Sequence, residues 1–461
     1  MNCNVPMNAY SNKAIRIGAG LSVLAALLAF AARVASAQET GPRRLSLGDA
    51  ARLAASQTAA VQSAQLRVDE ARARVTQSRA SLLPQVGLTP SWTSHTVNSA
   101  SFGFNFPAPA GQQPLLDPNG QIIGPVRFWD LRGDVSQTLL DPAAQQRVRA
   151  ARAGVTAASA DVATAGENAA SNAALSYLRA LRSEATYQAR IADSTLAVDL
   201  LNVARNQLEA GVGVGLDVTR AQSQLAGARA QLIQARNDRD RAQLDLKRAL
   251  NLPLDQSIIL TDSLTAPFAV EVSEAAAIAQ AVQNRPDIRA AEAQLEAAEQ
   301  QVAATRATRL PTVNAFANSG PTGFVNHLLN TYNYGVQVSW PVFEGKRREG
   351  QTEEQLAIAK EIDVRRRDLQ QQATVDVRAA LLDIASTREQ VEAARTRQSL
   401  AELEVQQARE RFNAGVAGNA DVTTASVTLN SARTGLIDAL ASYQAARVSL
   451  AKAEGTVAQI R

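Results

Sequence analysis

The residues of this chain that could do chemistry are few and far apart. Cys3 is the only cysteine, and His95 and His327 are the only histidines. Both histidines fall in segments that read as loops, so no paired ligand set or acid–base couple forms around them. No nucleophile constellation occurs, and no Gly-rich phosphate loop is followed by Lys. Aspartates and glutamates are spread along helical stretches, where they are solvated or paired one turn away. No metal, no cofactor and no enzymatic activity is therefore expected. Two acids differ from the rest. Asp217 and Asp421 follow the matched turns Ala210-Gly211-Val212 and Ala414-Gly415-Val416. Each begins a returning helix, where an aspartate is a good N-cap, and capping is the favoured role for Asp217. The glycines end the preceding helices and permit close backbone approach.

Residues 1–37 read as a secretory leader. Lys13 and Arg16 precede the apolar run from Ile17 to Phe30, and Ala35-Ser36-Ala37 supplies a small-x-small cleavage site. An uncleaved anchor is the alternative, but the run is short for a spanning helix. Cleavage after Ala37 removes Cys3 and places Gln38, not a cysteine, at the new terminus, which excludes the usual lipoprotein route. The full chain has a formal net charge of +4. Lys13, Arg16 and Arg33 supply most of it, so the remainder is near neutral and carries no nucleic-acid signature. No other segment has the apolar length of a transmembrane helix, so any membrane insertion must use strands.

What positions the two turns is an internal repeat. Val218, Ala221, Leu225, Ala228, Leu232, Ala235, Arg239, Ala242, Leu246 and Ala249 step by three and four. Val422, Ala425, Leu429, Ala432, Leu436, Ala439, Tyr443, Ala446, Leu450 and Ala453 do the same, each 204 positions later. Upstream, Val61, Ala64, Ala71, Val75, Arg79, Ala80, Leu83 and Pro84 match Ile288, Ala291, Ala298, Val302, Arg306, Ala307, Leu310 and Pro311. The first half holds extra residues around Phe106 to Pro125, which read as a long loop. The 3–4 spacing makes a narrow coiled-coil stripe, and its alternating alanines let helices approach closely. Proline-free stretches from Ala143 to Ala210 and Arg348 to Ala414 would each reach on the order of 100 Å as continuous helix.

Between the helical arms lie segments of period two. Tyr332, Tyr334, Val336, Val338 and Trp340 alternate with polar residues or glycine, as do Trp129, Leu131, Gly133 and Val135. Val86-Gly87-Leu88-Thr89 and Val313-Asn314-Ala315-Phe316 read as their partners. Twelve of the 19 aromatic residues fall in these two regions, which suggests an interfacial girdle. An ordinary hairpin packed on the helices is the alternative. Pro84, Pro142, Pro311 and Pro341 mark the passages between helix and strand. Four strands cannot close a membrane barrel, and open edges in lipid leave unpaired N–H and C=O groups. Several chains must then share one barrel. The physics leaves open whether two, three or four do.

The tandem halves, each running helix, two strands, long helix, turn, helix, resemble the TolC-type outer-membrane efflux proteins. The resemblance spans about 45–457 and is sharpest at Asn284-Arg285-Pro286-Asp287-Ile288-Arg289-Ala290-Ala291-Glu292, at the Leu-Pro pairs 83–84 and 310–311, and at Ser339-Trp340-Pro341-Val342-Phe343-Glu344-Gly345. It implies a mainly α fold with a small membrane β-barrel. Two tandem repeats of long coiled-coil helices would carry two strands each, in a homotrimer with a 12-stranded barrel and an α-helical tunnel. The domains would be a leader (1–37), a first repeat (38–250), an equatorial connector (251–273, with Pro253 and Pro267) and a second repeat (274–461). Loops at 94–126 and 320–330 would face outside the cell. The implied function is an outer-membrane exit duct for efflux or type I secretion. Its partners would be a periplasmic adaptor at both tips, an inner-membrane transporter and outer-membrane lipid. The resemblance places Asp421, with its counterpart Asp217 and with Thr424, at the periplasmic entrance, where three copies would form a ring. The family's second ring acid is Thr424 here, and its gate tyrosine and arginine are Phe412 and Ala417, so most of the polar gate is missing. A periplasmic adaptor or a structural coiled coil is the competing reading. An adaptor, however, has one hairpin amid β domains, and a structural rod needs no period-two aromatic segments.

Overall fold

The computed structural model describes residues 42–103, 120–266, 273–324, 326–414, 416 and 418–460. The proposed leader, the centre of the long loop, Pro267, Gly415 and Ala417 lie outside them. In chain order the elements are β1 Arg43–Leu45, α1 Leu47–Gln57, α2 Ala59–Ala80, β2 Gln85–Leu88, β3 Ser91–Asn98, β4 Ile122–Asp130, β5 Gly133–Leu140, α3 Pro142–Glu209 and α4 Gly215–Ala249. They continue with β6 Ile258–Leu260, α5 Glu274–Asn284, α6 Pro286–Ala307, β7 Thr312–Phe324, β8 His327–Ser339, α7 Arg347–Asn413 and α8 Asn419–Glu454.

The two long helices expected from the proline-free stretches are present. α3 runs 68 residues and α7 runs 67, each on the order of 100 Å at 1.5 Å per residue. The seam pattern predicts how they pack. Ala197, Leu201 and Ala204 of α3 meet Ala221 and Leu225 of α4. Ala401 and Val405 of α7 meet Ala425, Leu429 and Ala432 of α8 at the matched positions. No described helix is long and apolar enough to cross a membrane.

The equatorial belt is richer than the sequence suggested. β1 and β6 pair in parallel, and the buried Tyr177 hydroxyl donates to the Leu45 carbonyl at 2.9 Å. Around that bond Leu45, Val61, Leu246 and Leu250 form one core. Ser46 starts α1 with a reciprocal capping box to Asp49. At the far end α8 stops at Gly455, whose φ of +72° reverses the chain. Val457 then packs fully buried against Ala51 of α1, while the Glu167 carboxylate accepts its N–H at 2.7 Å.

The strands reach farther than the period-two segments indicated. β7 and β8 pair over their whole 13-residue lengths, so most of the loop expected at 320–330 is paired strand. β3 runs to Asn98 and β4 starts at Ile122, which shortens the other loop. His95 and His327 are thus strand residues, opposite Val126 and Phe324. Periodicity missed these ends because glycines and polar residues there break the alternation. β2 with β3, and β4 with β5, are two bent strands. With β7 and β8 they give one antiparallel meander. Direct cross-strand partners share a face. One face carries Trp92, Trp129, Tyr332, Tyr334, Val336 and Val338; the other carries Asn314, Asn318, Asn333 and Gln337. Not every aromatic follows the outward rule. Phe128 and Phe324 meet edge to face at 6.0 Å on the polar side. Phe316 covers Gly335 there, where a Cβ would come within 2.9 Å of its ring. The outer edges of β2, β3 and β8 pair with nothing among the described residues.

Candidate functional site: the hairpin tips and the wall above them

At the first tip α3 ends at Glu209 with Ala210 as its C-cap, and Gly211 takes φ +73°. The N–H groups of Val212 and Gly213 both return to the Gln207 carbonyl, at 3.0 and 2.9 Å. A Cβ on Gly211 would touch nothing within 4 Å, so its dihedral alone requires glycine. The turn leaves Val212, Val214 and Leu216 exposed, Val212 at 80%. At the second tip the Val416 N–H returns to the Arg411 carbonyl at 3.0 Å, and Val416 is 71% exposed. Small apolar side chains thus point outward at both tips.

Neither Asp217 nor Asp421 is an N-cap. The cap positions are Val214 and Gly418, and each aspartate sits three residues into its helix. The returning helices start at Gly215 and Asn419, three residues earlier than a cap at Asp217 or Asp421 would place them. A carboxylate in the first turn still favours the helix dipole. The two acids differ in surroundings. Asp217 is half-buried and lies 3.8 Å from Arg220. Asp421 is exposed, has no ion pair among the described residues, and shares its face with exposed Thr424 one turn later.

The tips are tied together side by side. Asn419 is 1% exposed and donates from its amide to the Asp217 carbonyl at 3.0 Å. Gln207 donates to the Phe412 carbonyl at 3.3 Å. Phe412 is buried with Leu200 and Val422, so α3, α7 and α8 share one apolar contact just above the tips. The position that resembles a gate tyrosine is thus a packing residue.

About 25 Å higher, at 1.5 Å per residue, lies a cluster that the sequence reading missed. The Asp193 side chain is 2% exposed and sits 3.0 Å from Arg190 of its own helix and 3.2 Å from Arg433 of α8. The Asn430 amide, oriented to donate, reaches the same carboxylate at 2.5 Å and the Ser426 carbonyl at 3.2 Å. Arg190 also donates to the Thr434 hydroxyl at 3.1 Å. Burial pushes the Asp193 carboxyl above its ordinary range, against the pull of both guanidiniums. The signal was available, since 193, 197, 200 and 204 continue one heptad stripe.

In the belt, Arg285 of the Asn-Arg-Pro-Asp segment bridges Asp287 at 2.8 Å and Asp376 of α7 at 2.6 Å. It lines a cleft of about 330 Å³ with Glu167, Asp383 and Lys452. Burial raises the Asp287 carboxyl, but hydrogen bonding and charge from Arg285 outweigh it and hold it low. This is an anchoring ion pair.

The chain thus combines two helical hairpins, an antiparallel meander at one end and exposed apolar tips at the other. The match to the family described as "Outer membrane efflux protein" covers residues 50–252 and 277–456. The probable efflux pump outer membrane protein TtgC of Pseudomonas putida is 27% identical over 267 residues, covering 55% of this chain and 53% of that protein. The chain thus spans about half the length of that relative. Protein CyaE of Bordetella pertussis is 32% identical over 139 residues, covering 30% and 29%. Among solved structures, the outer-membrane channel OprN superposes with a TM-score of 0.72 at 19% identity, covering 90% of this chain and 91% of that one. VceC of Vibrio cholerae gives 0.70 at 20% identity, covering 89% and 96%. Shared architecture over nine-tenths of the chain agrees with both matched segments, one in each repeat, and the chain belongs to the outer membrane efflux protein family.

Proposed function

We propose that this chain is the outer-membrane exit duct of a tripartite efflux or type I secretion system, a passive conduit fed by an inner-membrane pump through a periplasmic adaptor. One observation carries the reading. A single chain supplies a four-stranded sheet with an apolar aromatic face, a polar face and two unpaired outer edges, above rods on the order of 100 Å long. In lipid those edges must pair. Joining the β2–β3 edge of one copy to the β8 edge of the next closes a ring, and three copies give twelve strands, the homotrimer that the family resemblance implies. The same symmetry gathers three hairpin pairs into a tunnel.

Within this reading the leader, two repeats and connector keep the boundaries given above. Ala210, Gly211 and Val212, with Ala414, Gly415 and Val416, meet the adaptor. Asp421 and Thr424 line the periplasmic entrance, and Asp421 supplies the negative ring. Asp217, half-covered beside Arg220, stands back from it. Planar-bilayer recording on the purified full-length protein tests the assignment. Stepwise channels from a trimer that survives carbonate washing of outer membranes are expected. A water-soluble monomer that never conducts overturns it. TtgC is named as part of an efflux pump, and the cargo here follows from whichever pump the duct serves.

A further inference from the structure

The two helix–strand junctions, equivalent by repeat, differ in chemistry. In the first, Asp141 caps α3 by accepting the Ala144 N–H at 2.8 Å, and Arg147 pairs with that acid at 3.1 Å. Cation and helix N-terminus are both satisfied. In the second, the cap of α7 is Lys346, in the left-handed region at φ +66° with no side-chain capping bond. Lysine is a poor choice for both roles, since asparagine or glycine would fit the dihedral and any short polar residue would cap. Lys346 and Arg347 are exposed, and Lys346 makes no ion pair among the described residues. Arg348 is buried, only 9% exposed, with bonds from Nε to Glu344 and from Nη1 to the Pro341 carbonyl. Its Nη2 has no partner. Glu344 pairs with Arg347 at 2.6 Å and Arg348 at 3.1 Å, and Glu349 pairs with Arg309 at 3.6 Å, which leaves a positive excess centred on Lys346 at the positive end of a 67-residue helix.

Large apolar side chains stand immediately before these cations. Val342 and Phe343 are 80% and 83% exposed. Trp340 continues the outward face of Val336 and Val338, its indole N–H held by the Arg309 carbonyl at 3.2 Å. An apolar step followed by cations and a helix N-terminus matches a phospholipid in cross-section, with acyl chains beside Phe343 and phosphate beside Lys346.

We propose that the β8–α7 junction is a binding site for the headgroup of an anionic phospholipid in the periplasmic leaflet. It rests on the outer-membrane reading above. Lys346, Arg347 and the first turn of α7 hold the phosphate, while Val342 and Phe343 enter the acyl layer. The site marks the depth at which the barrel stops and the tunnel begins, once per chain.

The test uses the full-length protein in vesicles of phosphatidylethanolamine, with or without one-fifth phosphatidylglycerol. Lipid that remains bound after detergent extraction is counted by mass spectrometry. Wild type should retain phosphatidylglycerol in excess of its share of the vesicle. Lys346→Gln with Arg347→Gln should lower that retention by roughly 5-fold per charge removed, with phosphatidylethanolamine unchanged. Lys346→Asn suits the left-handed cap, so it should lose lipid preference while its melting temperature holds or rises. Arg147→Gln at the other junction should change nothing. Equal retention of both lipids, or unaltered preference in the double variant, overturns the proposal. So does displacement of the lipid by millimolar inorganic phosphate, which marks a free-anion site. Loss of the oligomer with lipid preference intact also overturns it, since a second copy then covers this face. Failure to insert into any vesicle indicts the membrane reading instead.

Discussion

α4 and α8 are the same helix by repeat, yet they are used differently. Their seam residues match at 204 positions, and both bury Leu225 or Leu429 against the preceding long helix. Away from the seam they part. α4 buries four residues, whereas α8, one residue longer, buries twelve. α8 has a second set of contacts, with α3 and with the start of α4 in the first repeat, and its polar residues serve it. Asn419, Asn430 and Arg433 bond to Asp217 and Asp193, and their counterparts in α4 are Gly215, Ala226 and the exposed Arg229. The difference teaches which flank is finished within the chain. The α4 flank carries Ile233 at 71% exposure, while its counterpart Ile437 is half-buried. In the proposed duct, this open flank with its exposed Ile233 is the one that a neighbouring copy would cover.

Breaking the α8–α3 contact should have the largest effect. Asp193→Ala leaves Arg190 and Arg433 partly buried without their counter-ion, at a cost of about 3 kcal/mol, near the low end for a buried pair because both arginines keep some water. Thermal melting of the purified protein reads this. Adding Arg433→Ala should recover part of it, and additive losses would show that the cluster is not coupled. The seam itself comes next. Leu225→Ala and Leu429→Ala should each cost about 2–3 kcal/mol. Nearly equal melting shifts would confirm that the hairpins are equivalent where they match.

The flank substitution sharpens the contrast. Ile437→Asp should lower the melting temperature of the chain whether or not it is assembled. Ile233→Asp should leave the secondary-structure signal intact and shift the oligomer toward monomer on size-exclusion chromatography. Identical behaviour of the two would dissolve the distinction. Acid titration is subtler. Because the folded Asp193 carboxyl is raised, its stabilisation is full below the ordinary carboxylate value and is lost as pH rises through the raised one. Asp287 is lowered, so its stabilisation is present above the ordinary value and is lost as pH falls through the lowered one. Relative to Asp193→Asn, wild-type stability should therefore fall as pH rises above the ordinary carboxylate value, and relative to Asp287→Asn it should fall as pH drops below that value. The smallest effect is expected at the entrance. Asp421→Asn should reduce cation preference in single-channel recordings, on the order of two-fold, with melting unchanged.

Much of this was legible because it is periodic. The seam at 204-residue spacing and the two proline-free rods required only a count of threes and fours, and the helices end within a residue of the positions read. The first tip was legible as a turn centred on Gly211, but Asp217 and Asp421 were assigned as caps when each lies three residues inward. Where a helix starts depends on turn geometry that residue type alone leaves open by a residue or two. Asp193 was missed for the opposite reason. A charged residue in a heptad stripe was averaged into the solvated charge around it, though Leu200 and Ala204 below it placed it inside. The strand ends failed because Gly320, Gly323 and Pro321 interrupt the alternation while the backbone pairing runs through them.

The return of residues 455–460 to the first repeat has a consequence for biogenesis. Val457 fills the space above Ala51, and Gly48 lies so close to the Ile460 carbonyl that a Cβ would clash at 2.4 Å. α1 therefore keeps an exposed apolar surface until the second repeat has been made. The belt closes late, and a nascent chain must keep its earliest helix shielded by other means until then.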